Sequence, residues 1–177
     1  MGGSSSVPIK ILIIGPVNAG KTYLLRAMHK GVGKVVAPNP TDTYNVEIIS
    51  CPRFGEKFMV YDLCGKPGMR LRRRQFYDAT QGVILMVNCA DMANIEEAKK
   101  DLEQLVEAVD LRTVPILVVA NMVNTPGAAS IDDIKDALQL NMVLANRSWE
   151  ICRLRKNNQP DVDHILDQML VFVYRPR

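Results

Sequence analysis

The sequence lacks the features that mark several common classes of protein. Its cysteines are scattered without C-x-x-C spacing, which argues against a zinc site or a disulfide framework. No apolar stretch approaches the roughly 20 residues needed to cross a bilayer, and no secretory signal is visible. The net charge of +3 is mild and does not indicate nucleic acid as a partner. We therefore expect a cytoplasmic protein, free or attached to a cytosolic membrane face, with reduced cysteines in its core: Cys51, Cys64, Cys89 and Cys152.

Histidine is also scarce, and neither histidine has a catalytic companion in the sequence. We expect His29 and His164 to occupy ordinary surface positions on helices. Apolar residues are plentiful, since 47% of the 177 residues are hydrophobic, which is enough to build one buried core. The chain is expected to consist of a flexible leader at residues 1–7 and a single domain at residues 8–177, and we expect a monomer.

The leader begins M-G-G-S-S-S, which fits the pattern for N-terminal myristoylation with Gly2 as the acceptor. A flexible Gly/Ser leader without any modification explains the same residues equally well. One myristoyl chain gives only marginal membrane binding, so peripheral membrane association would need a second signal.

The most informative segment is G-P-V-N-A-G-K-T, which begins at Gly15 and ends at Thr22. It fits G-x-x-x-x-G-K-[ST], a loop whose backbone N–H groups surround phosphate oxygens where a strand passes into a helix. Lys21 would bring a point charge to the terminal phosphates, and the Thr22 hydroxyl would be a ligand for Mg²⁺. An ordinary glycine turn is the weaker alternative, because a strand-like and a helix-like run flank the segment. The predicted phosphate-contacting residues are Gly15, Val17, Asn18, Ala19, Gly20, Lys21 and Thr22.

Strand-like and helix-like stretches alternate along the chain. Two nearly continuous apolar runs, at 82–88 and 115–121, are typical of strands buried on both faces of a parallel sheet. The pattern predicts an α/β fold: a doubly wound, mostly parallel six-stranded sheet with helices on both faces and one antiparallel strand from a hairpin at 45–62. Helices are predicted at residues 22–30, after a cap at Asn94, after a cap at Ser130, and from Pro160.

Segments downstream of the loop resemble those of one protein family. Residues 40–47 read P-T-D-T-Y-N-V-E and resemble the P-T-x-x-[FY]-N-V-E first-switch sequence of Arf-like small GTPases. The segment V-Y-D-L-C-G at 60–65 resembles their W-D-x-G-G, and N-M-V-N at 121–124 stands where they have N-K-x-D. The resemblance covers about residues 8–173 in the right order. A phosphate-loop kinase of small molecules, the alternative by fold, does not explain the first-switch string.

This resemblance implies a metal site and a switch. Thr22 would ligate Mg²⁺, and Thr41 would do so only when a γ-phosphate is present. Asp62 would hold the ion through water, and the Gly65 N–H would contact the γ-phosphate. Hydroxyl and carboxylate oxygens suit Mg²⁺, which is an independent reason for these assignments; a capping Thr41 and a turn-forming Asp62 are the alternatives. Ordering of the two switch segments, 37–47 and 62–78, by the γ-phosphate would recruit effectors and regulators.

The chain departs from the family at the position of the water-positioning glutamine, which is Lys66 here. An ammonium has three donors and no acceptor, so it is unable to orient an attacking water as an amide does. Val17 adds a branched side chain near the expected γ-phosphate. Both changes favour slow hydrolysis, so no catalytic residue is assigned and the chain is at most a slow GTP hydrolase.

The expected guanine site departs from the family as well. Asn121 and Asn124 would contact the base of GTP or GDP, but Asn124 replaces a carboxylate, and Met122 replaces a lysine. Losing one charge-assisted bond costs about 1.5–3 kcal/mol. Two cations, Arg155 and Lys156, stand where the family has small residues, and they would intrude on the base or reach acidic partners. The phosphate half of the pocket is expected to be complete and the guanine half degraded.

A run of arginines, Arg70, Arg72, Arg73 and Arg74, is predicted on a second-switch helix. A solvated helix face and a contact with an acidic partner or anionic lipid are both consistent with it. The sequence as a whole favours an Arf-like GTP-binding switch acting in membrane traffic or organelle organisation. The alternatives are a pseudo-GTPase scaffold and a nucleotide-dependent enzyme with altered base preference.

Overall fold

The computed structural model describes residues 7–175, so the predicted acceptor Gly2 lies outside the described residues. The strands are β1 (Ile9–Ile14), β2 (Tyr44–Cys51), β3 (Glu56–Leu63), β4 (Gly82–Asn88), β5 (Ile116–Asn121) and β6 (Trp149–Leu154). The α-helices are α1 (Lys21–Lys30), α2 (Met92–Glu107), α3 (Ile131–Ala137), α4 (Leu140–Val143) and α5 (Gln159–Tyr174). These elements account for all the predicted strands and add a short helix, α4, that was not predicted.

All six strands form one sheet in the order β2-β3-β1-β4-β5-β6. β2 pairs with β3 in the antiparallel sense, and every other pairing is parallel. This confirms the predicted fold class. The order of the strands reverses at β1, and in such sheets ligands bind beyond the carboxyl ends of the strands at this reversal.

Two apolar layers cover the faces of the sheet. One layer combines alternate residues of β1, β3 and β4 with the inner faces of α1 and α5, and the other combines the remaining strand residues with α2 and α3. β5 is buried along its whole length and β4 along all but its last residue, which explains their continuous apolar sequences. All four cysteines are buried and unbridged, as predicted.

The start of α2 differs from the prediction. Asp91 caps this helix, because its carboxylate accepts from the backbone N–H groups of Ala93 at 3.0 Å and Asn94 at 3.4 Å. The predicted cap, Asn94, is inside the helix and only 4% exposed, so its side chain has partners elsewhere. The cap at Ser130 is confirmed, with reciprocal bonds to Asp133.

The second switch segment also differs from the prediction, because it contains no α-helix. Residues Pro67–Met69 and Leu71–Phe76 form two short 3-10 segments. Asn158 caps α5, so that helix starts one residue before the predicted Pro160. Within residues 7–175, no helix has both the length and the apolar character to span a membrane.

Candidate functional site

The loop between β1 and α1 requires its glycines. Gly15 has φ +154°, and a Cβ there would lie 2.5 Å from the Met86 carbonyl oxygen. Gly20, the residue before α1, has φ +96°, and a Cβ there would collide with the Asn121 side chain. The glycine spacing of the predicted phosphate loop therefore follows from two close approaches and a left-handed backbone.

Lys21 lies under this loop with its ammonium directed at the loop backbone. The residue is 7% exposed, and its Nζ donates to the Pro16 carbonyl at 2.8 Å. Burial lowers the pKa of Lys21 to about 8, against the opposing attraction of Asp62. An anion placed beside this ammonium would favour its charged form. The environment suits a group that meets polyphosphate.

Four polar side chains meet beside the loop, at the start of α1. The Asp62 Oδ2 atom accepts from the hydroxyls of Thr22 at 2.5 Å and Thr41 at 3.1 Å, and it also accepts from the Asn45 Nδ2 atom at 2.9 Å. The two hydroxyl oxygens are 3.0 Å apart. The three predicted metal ligands are therefore brought together from α1, the first switch segment and β3.

Asp62 provides a test of whether this group fits a cation. The residue is fully buried, and its second oxygen, Oδ1, has no hydrogen-bond partner among residues 7–175. An unpaired buried carboxylate oxygen is costly, and a divalent cation nearby would relieve that cost. No set of three or more acidic, cysteine or histidine side chains within residues 7–175 is arranged to hold a metal by itself. The group fits an ion that takes its remaining ligands from phosphate and water.

Asn45 is the member of this group that sequence reasoning did not assign. Its Nδ2 atom donates to both Asp62, as given above, and the Thr41 hydroxyl at 3.0 Å. The amide therefore links the first switch segment to the carboxylate. Its position within the first-switch string was the only signal that could have found it.

Lys66 and Gly65 face the same cleft from the second switch segment. The cleft is lined by Val17, Asn18, residues 20–23, residues 38–41 and residues 65–66. A Cβ on Gly65 would lie 2.6 Å from the Lys21 ammonium and from backbone atoms of the loop. The Lys66 ammonium pairs with the Asp42 carboxylate at 2.9 Å, and both side chains are largely exposed. This ion pair joins the two switch segments across the mouth of the cleft.

The expected base-binding residues lie outside the lining of this cleft. Asn121 is buried, with its Nδ2 atom donating to the Ala19 carbonyl at 2.9 Å and its Oδ1 atom accepting from the Met122 N–H at 2.8 Å. Asn124 is exposed. Arg155, one of the two cations expected to intrude on the base or reach a partner, is instead bound by both oxygens of Asp161 at 2.9 Å.

The sequence of the chain matches the family profile described as "Arf: ADP-ribosylation factor family" over residues 3–171. The chain belongs to the ADP-ribosylation factor family. ADP-ribosylation factor-like protein 1 of Saccharomyces cerevisiae is 35% identical over 147 residues, which cover 83% of this chain and 78% of that protein. ADP-ribosylation factor 1 of Brassica rapa subsp. pekinensis is 34% identical over 142 residues, covering 80% of this chain and 75% of the relative.

A solved structure shows that the fold is shared as well. The structure of the Arl6 BBS3 small GTPase from Trypanosoma brucei, with bound nucleotide analogue GppNp, superposes with a TM-score of 0.85. The match covers 97% of this chain and 100% of the Trypanosoma brucei chain, and the two sequences are 21% identical. The resemblance seen in the sequence is confirmed: the chain is an Arf-family small GTPase, and proteins of this kind are GTP-binding switches.

The arginine run is placed differently from what the sequence predicted. Arg73 is 2% exposed and donates to the fully buried side chain of Asp101 on α2 at 2.8 Å and to the Cys64 carbonyl at 3.0 Å. Arg70 donates to the same carboxylate at 2.6 Å and to Glu97 at 2.5 Å. Neither residue belongs to a solvated face or is free for a lipid or partner, so both readings were wrong for them. Arg72 and Arg74 are exposed, and both readings stay open there.

An aromatic cluster between the switch segments was not predicted. The ring of Tyr44 lies 5.0 Å from that of Phe76 and 5.9 Å from that of Tyr61, measured between ring centroids. Tyr44 is 46% exposed. These aromatic residues are far apart in the sequence, so no local pattern indicated that they meet.

Proposed function

We propose that this chain is an Arf-like switch that binds GTP or GDP together with Mg²⁺, hydrolyses GTP slowly, and recruits effectors through residues 37–47 and 62–78. The observation that carries the proposal is the convergence of Thr22, Thr41 and Asp62 beside the phosphate loop. These residues come from three separate parts of the chain, and their oxygens lie within 2.5–3.1 Å of one another. A capping threonine and a turn-forming aspartate have no reason to meet there.

Thr22, Thr41 and Asp62 would hold the magnesium ion, Asp62 through water. When bound, the ion would neutralise charge on the phosphate oxygens. Thr41 belongs to the first switch segment, so its distance from Asp62 would respond to whether a γ-phosphate is present.

Slow hydrolysis is supported by the surroundings of Lys66. The ammonium is held by Asp42, and it offers no acceptor that orients water. Val17 lines the same cleft with a branched side chain that is 37% exposed. The geometry thus supplies phosphate-binding groups without a group that activates water among those lining residues.

The aromatic cluster of Tyr44, Tyr61 and Phe76 supports the proposal of effector binding. It brings together residues from the first switch segment, β3 and the second switch segment, so its shape depends on both switches. We propose roles in membrane traffic or organelle organisation by analogy with the family, with peripheral membrane association through an acylated Gly2. Arg72 and Arg74 are exposed cations available as the second membrane signal.

The test is to identify and count the nucleotide that copurifies with the protein. Acid extraction followed by ion-exchange chromatography should recover close to one guanine nucleotide per chain from protein kept in Mg²⁺. Chelation of Mg²⁺ during purification should lower that yield. Recovery of no di- or triphosphate under either condition would contradict the proposal.

A pseudo-GTPase scaffold is the second candidate, and one observation favours it. The Lys66–Asp42 pair joins the two switch segments directly, and such a pair would keep an effector surface assembled in both nucleotide states. The two candidates separate in a binding assay. A switch binds its effector preferentially in the GTP form, whereas a scaffold binds equally well with GDP, GTP or neither.

A further inference from the structure

Three asparagine side chains hold three consecutive carbonyls of the phosphate loop. Asn94 donates from Nδ2 to the Val17 carbonyl at 2.7 Å, and Asn88 donates from Nδ2 to the Asn18 carbonyl at 3.2 Å. Asn121 donates to the next carbonyl, that of Ala19, as described above. We call Asn88, Asn94 and Asn121 the asparagine brace. Its members come from the end of β4, the first turn of α2 and the end of β5.

The partners of each amide fix its orientation. The Asn94 Oδ1 atom accepts from the backbone N–H of Asn88 at 2.9 Å, so only its nitrogen is available to the loop carbonyl. The Asn88 Oδ1 atom accepts from the backbone N–H of Ala90 at 3.0 Å. Both side chains therefore use their oxygen on a backbone N–H in the stretch from the end of β4 to α2, and their nitrogen on the loop. Asn94 is only 4% exposed, so water competes little for its bond.

The brace determines the direction in which the loop's donors point. In a trans peptide the carbonyl and the following N–H lie in one plane and point in opposite directions, on opposite sides of the C–N bond. Holding the carbonyls of residues 17–19 toward the asparagines therefore turns the N–H groups of residues 18–20 away from them. One of these, the Ala19 N–H, also reaches the Pro16 carbonyl at 3.3 Å. Backbone N–H groups of such a loop are the donors that surround the inner phosphates of a nucleotide.

We propose that Asn88 and Asn94 are positioning residues that hold the phosphate loop ready for the β-phosphate before nucleotide binds. This rests on the proposed function, and it assigns a role to two residues outside every nucleotide-binding motif found in the sequence. The asparagine brace would strengthen binding at the polyphosphate half of the pocket. The base half is expected to bind less tightly, because Asn124 replaces the family's carboxylate. A group that is already oriented loses less freedom on binding, so its bonds contribute more to affinity.

The test uses two substitutions at each position, measured on the full chain stripped of nucleotide. Asn88→Asp and Asn94→Asp keep the oxygen acceptor and remove the donor, but they add a negative charge. Asn88→Leu and Asn94→Leu are similar in size and neutral, and they remove both donor and acceptor. Loss of the donor to the loop is the one change that all four variants share. Asn141→Asp, at an exposed position on α4, is the control for added charge.

Affinities for GDP and GMP are measured by calorimetry or competition in the presence of Mg²⁺. All four variants should bind GDP at least about fivefold more weakly than the unchanged protein, since one hydrogen bond that holds the loop is lost. GMP lacks the β-phosphate, so the ratio of GDP affinity to GMP affinity should fall. Asn141→Asp should leave both affinities unchanged.

Several results would overturn the inference. Weaker binding by the Asp variants alone would show an effect of charge, and weaker binding by the Leu variants alone would show an effect of the lost acceptor. An equal fall in GDP and GMP affinity, or a loss of folding seen by circular dichroism at both positions, would show a general structural defect. If the unchanged protein binds GDP and all four variants bind it equally well, the brace fails and the proposed function stands. If the unchanged protein binds no nucleotide, the proposed function fails first.

Discussion

Lys66 illustrates how one side chain separates binding from chemistry. Its ammonium stands at the mouth of the cleft, paired with Asp42 on the other switch segment. An exposed ion pair of this kind contributes about 0–1 kcal/mol, so its effect on the stability of the fold is small. Its effect on hydrolysis is larger, because the amide that it replaces would both donate to and accept from water.

Lys66→Gln tests whether this side chain is the reason for slow hydrolysis. The substitution restores an acceptor beside the expected γ-phosphate, so single-turnover hydrolysis of GTP should become faster by about tenfold or more. The rate is measured by release of radioactive phosphate from preloaded protein. Lys66→Met, which removes the charge without adding an acceptor, is the control and should stay slow. Equal rates for all three proteins would remove Lys66 from the account of hydrolysis.

Asn124→Asp tests the contact with the guanine base. Asn124 is exposed in the loop that follows β5. Its own amide N–H₂ would face a donor on guanine. Asn124→Asp should therefore raise the affinity for GDP by about ten- to a hundredfold, since a charge-assisted bond is gained. Calorimetry with GDP, ADP and XDP measures the selectivity. Strict guanine selectivity of the unchanged protein would contradict the predicted weakening of the base site.

At the scale of elements, α2 connects the two parts of the molecule expected to respond to nucleotide. Its first turn contacts the phosphate loop through Asn94, and its middle binds the second switch segment through Asp101. Arg73 extends this connection to the Cys64 carbonyl, one residue before Gly65. A shift of the second switch segment would therefore require the bonds to Asp101 to break or to move with it.

The prediction that belongs to α2 is a loss of stability in Asp101→Asn. Two arginines would keep their positive charges against a buried neutral amide, which costs about 3–5 kcal/mol when one partner of a buried pair is removed. Glu103→Gln, an exposed site on the same helix, should change the free energy of unfolding by less than about 0.5 kcal/mol. Urea unfolding followed by circular dichroism measures both. A loss below about 1 kcal/mol for Asp101→Asn would show that the second switch segment is held by other contacts.

The elements also show what the sequence was able to predict. The bounds of β4 were predicted to the residue and those of β5 to within one residue, because continuous apolar runs are local signals. The second switch segment was wrongly predicted as a helix, since its arginines bind α2, and contacts between distant residues leave no periodic pattern. Asn94 was assigned to a cap for the same reason: the spacing to Glu97 fits a capping box, but Asp91 caps the helix and Asn94 binds the loop.

The candidate site divides along the same line. Thr22, Thr41 and Asp62 were found from motifs, and the structure brings them together as those motifs implied. Asn88 and the aromatic cluster were not assigned, because amides and aromatic side chains serve many roles and carry no spacing signature. Asn45 was not assigned either, although it stands within the first-switch string. The ion pair between Arg155 and Asp161 was not predicted either. Asp161 lies in the first turn of α5, and no sequence pattern linked it to Arg155.

In the molecule as a whole, the sheet brings the candidate groups together at the carboxyl ends of its parallel strands. β1, β3, β4 and β5 are parallel, so the phosphate loop, Asp62, Asn88 and Asn121 lie at the same ends of adjacent strands. The expected ligand would therefore contact several segments of the chain at once. Nucleotide binding would therefore depend on where the fold places these segments, whereas hydrolysis would depend on a few side chains such as Lys66.

The most direct test of this account is a calorimetric titration of the nucleotide-free protein with GDP and with a non-hydrolysable GTP analogue, each with Mg²⁺ and with a chelator. We expect one binding site per chain, with affinity for the GTP analogue falling at least about tenfold when Mg²⁺ is removed. Absence of binding for every di- and triphosphate at millimolar ligand would contradict the account.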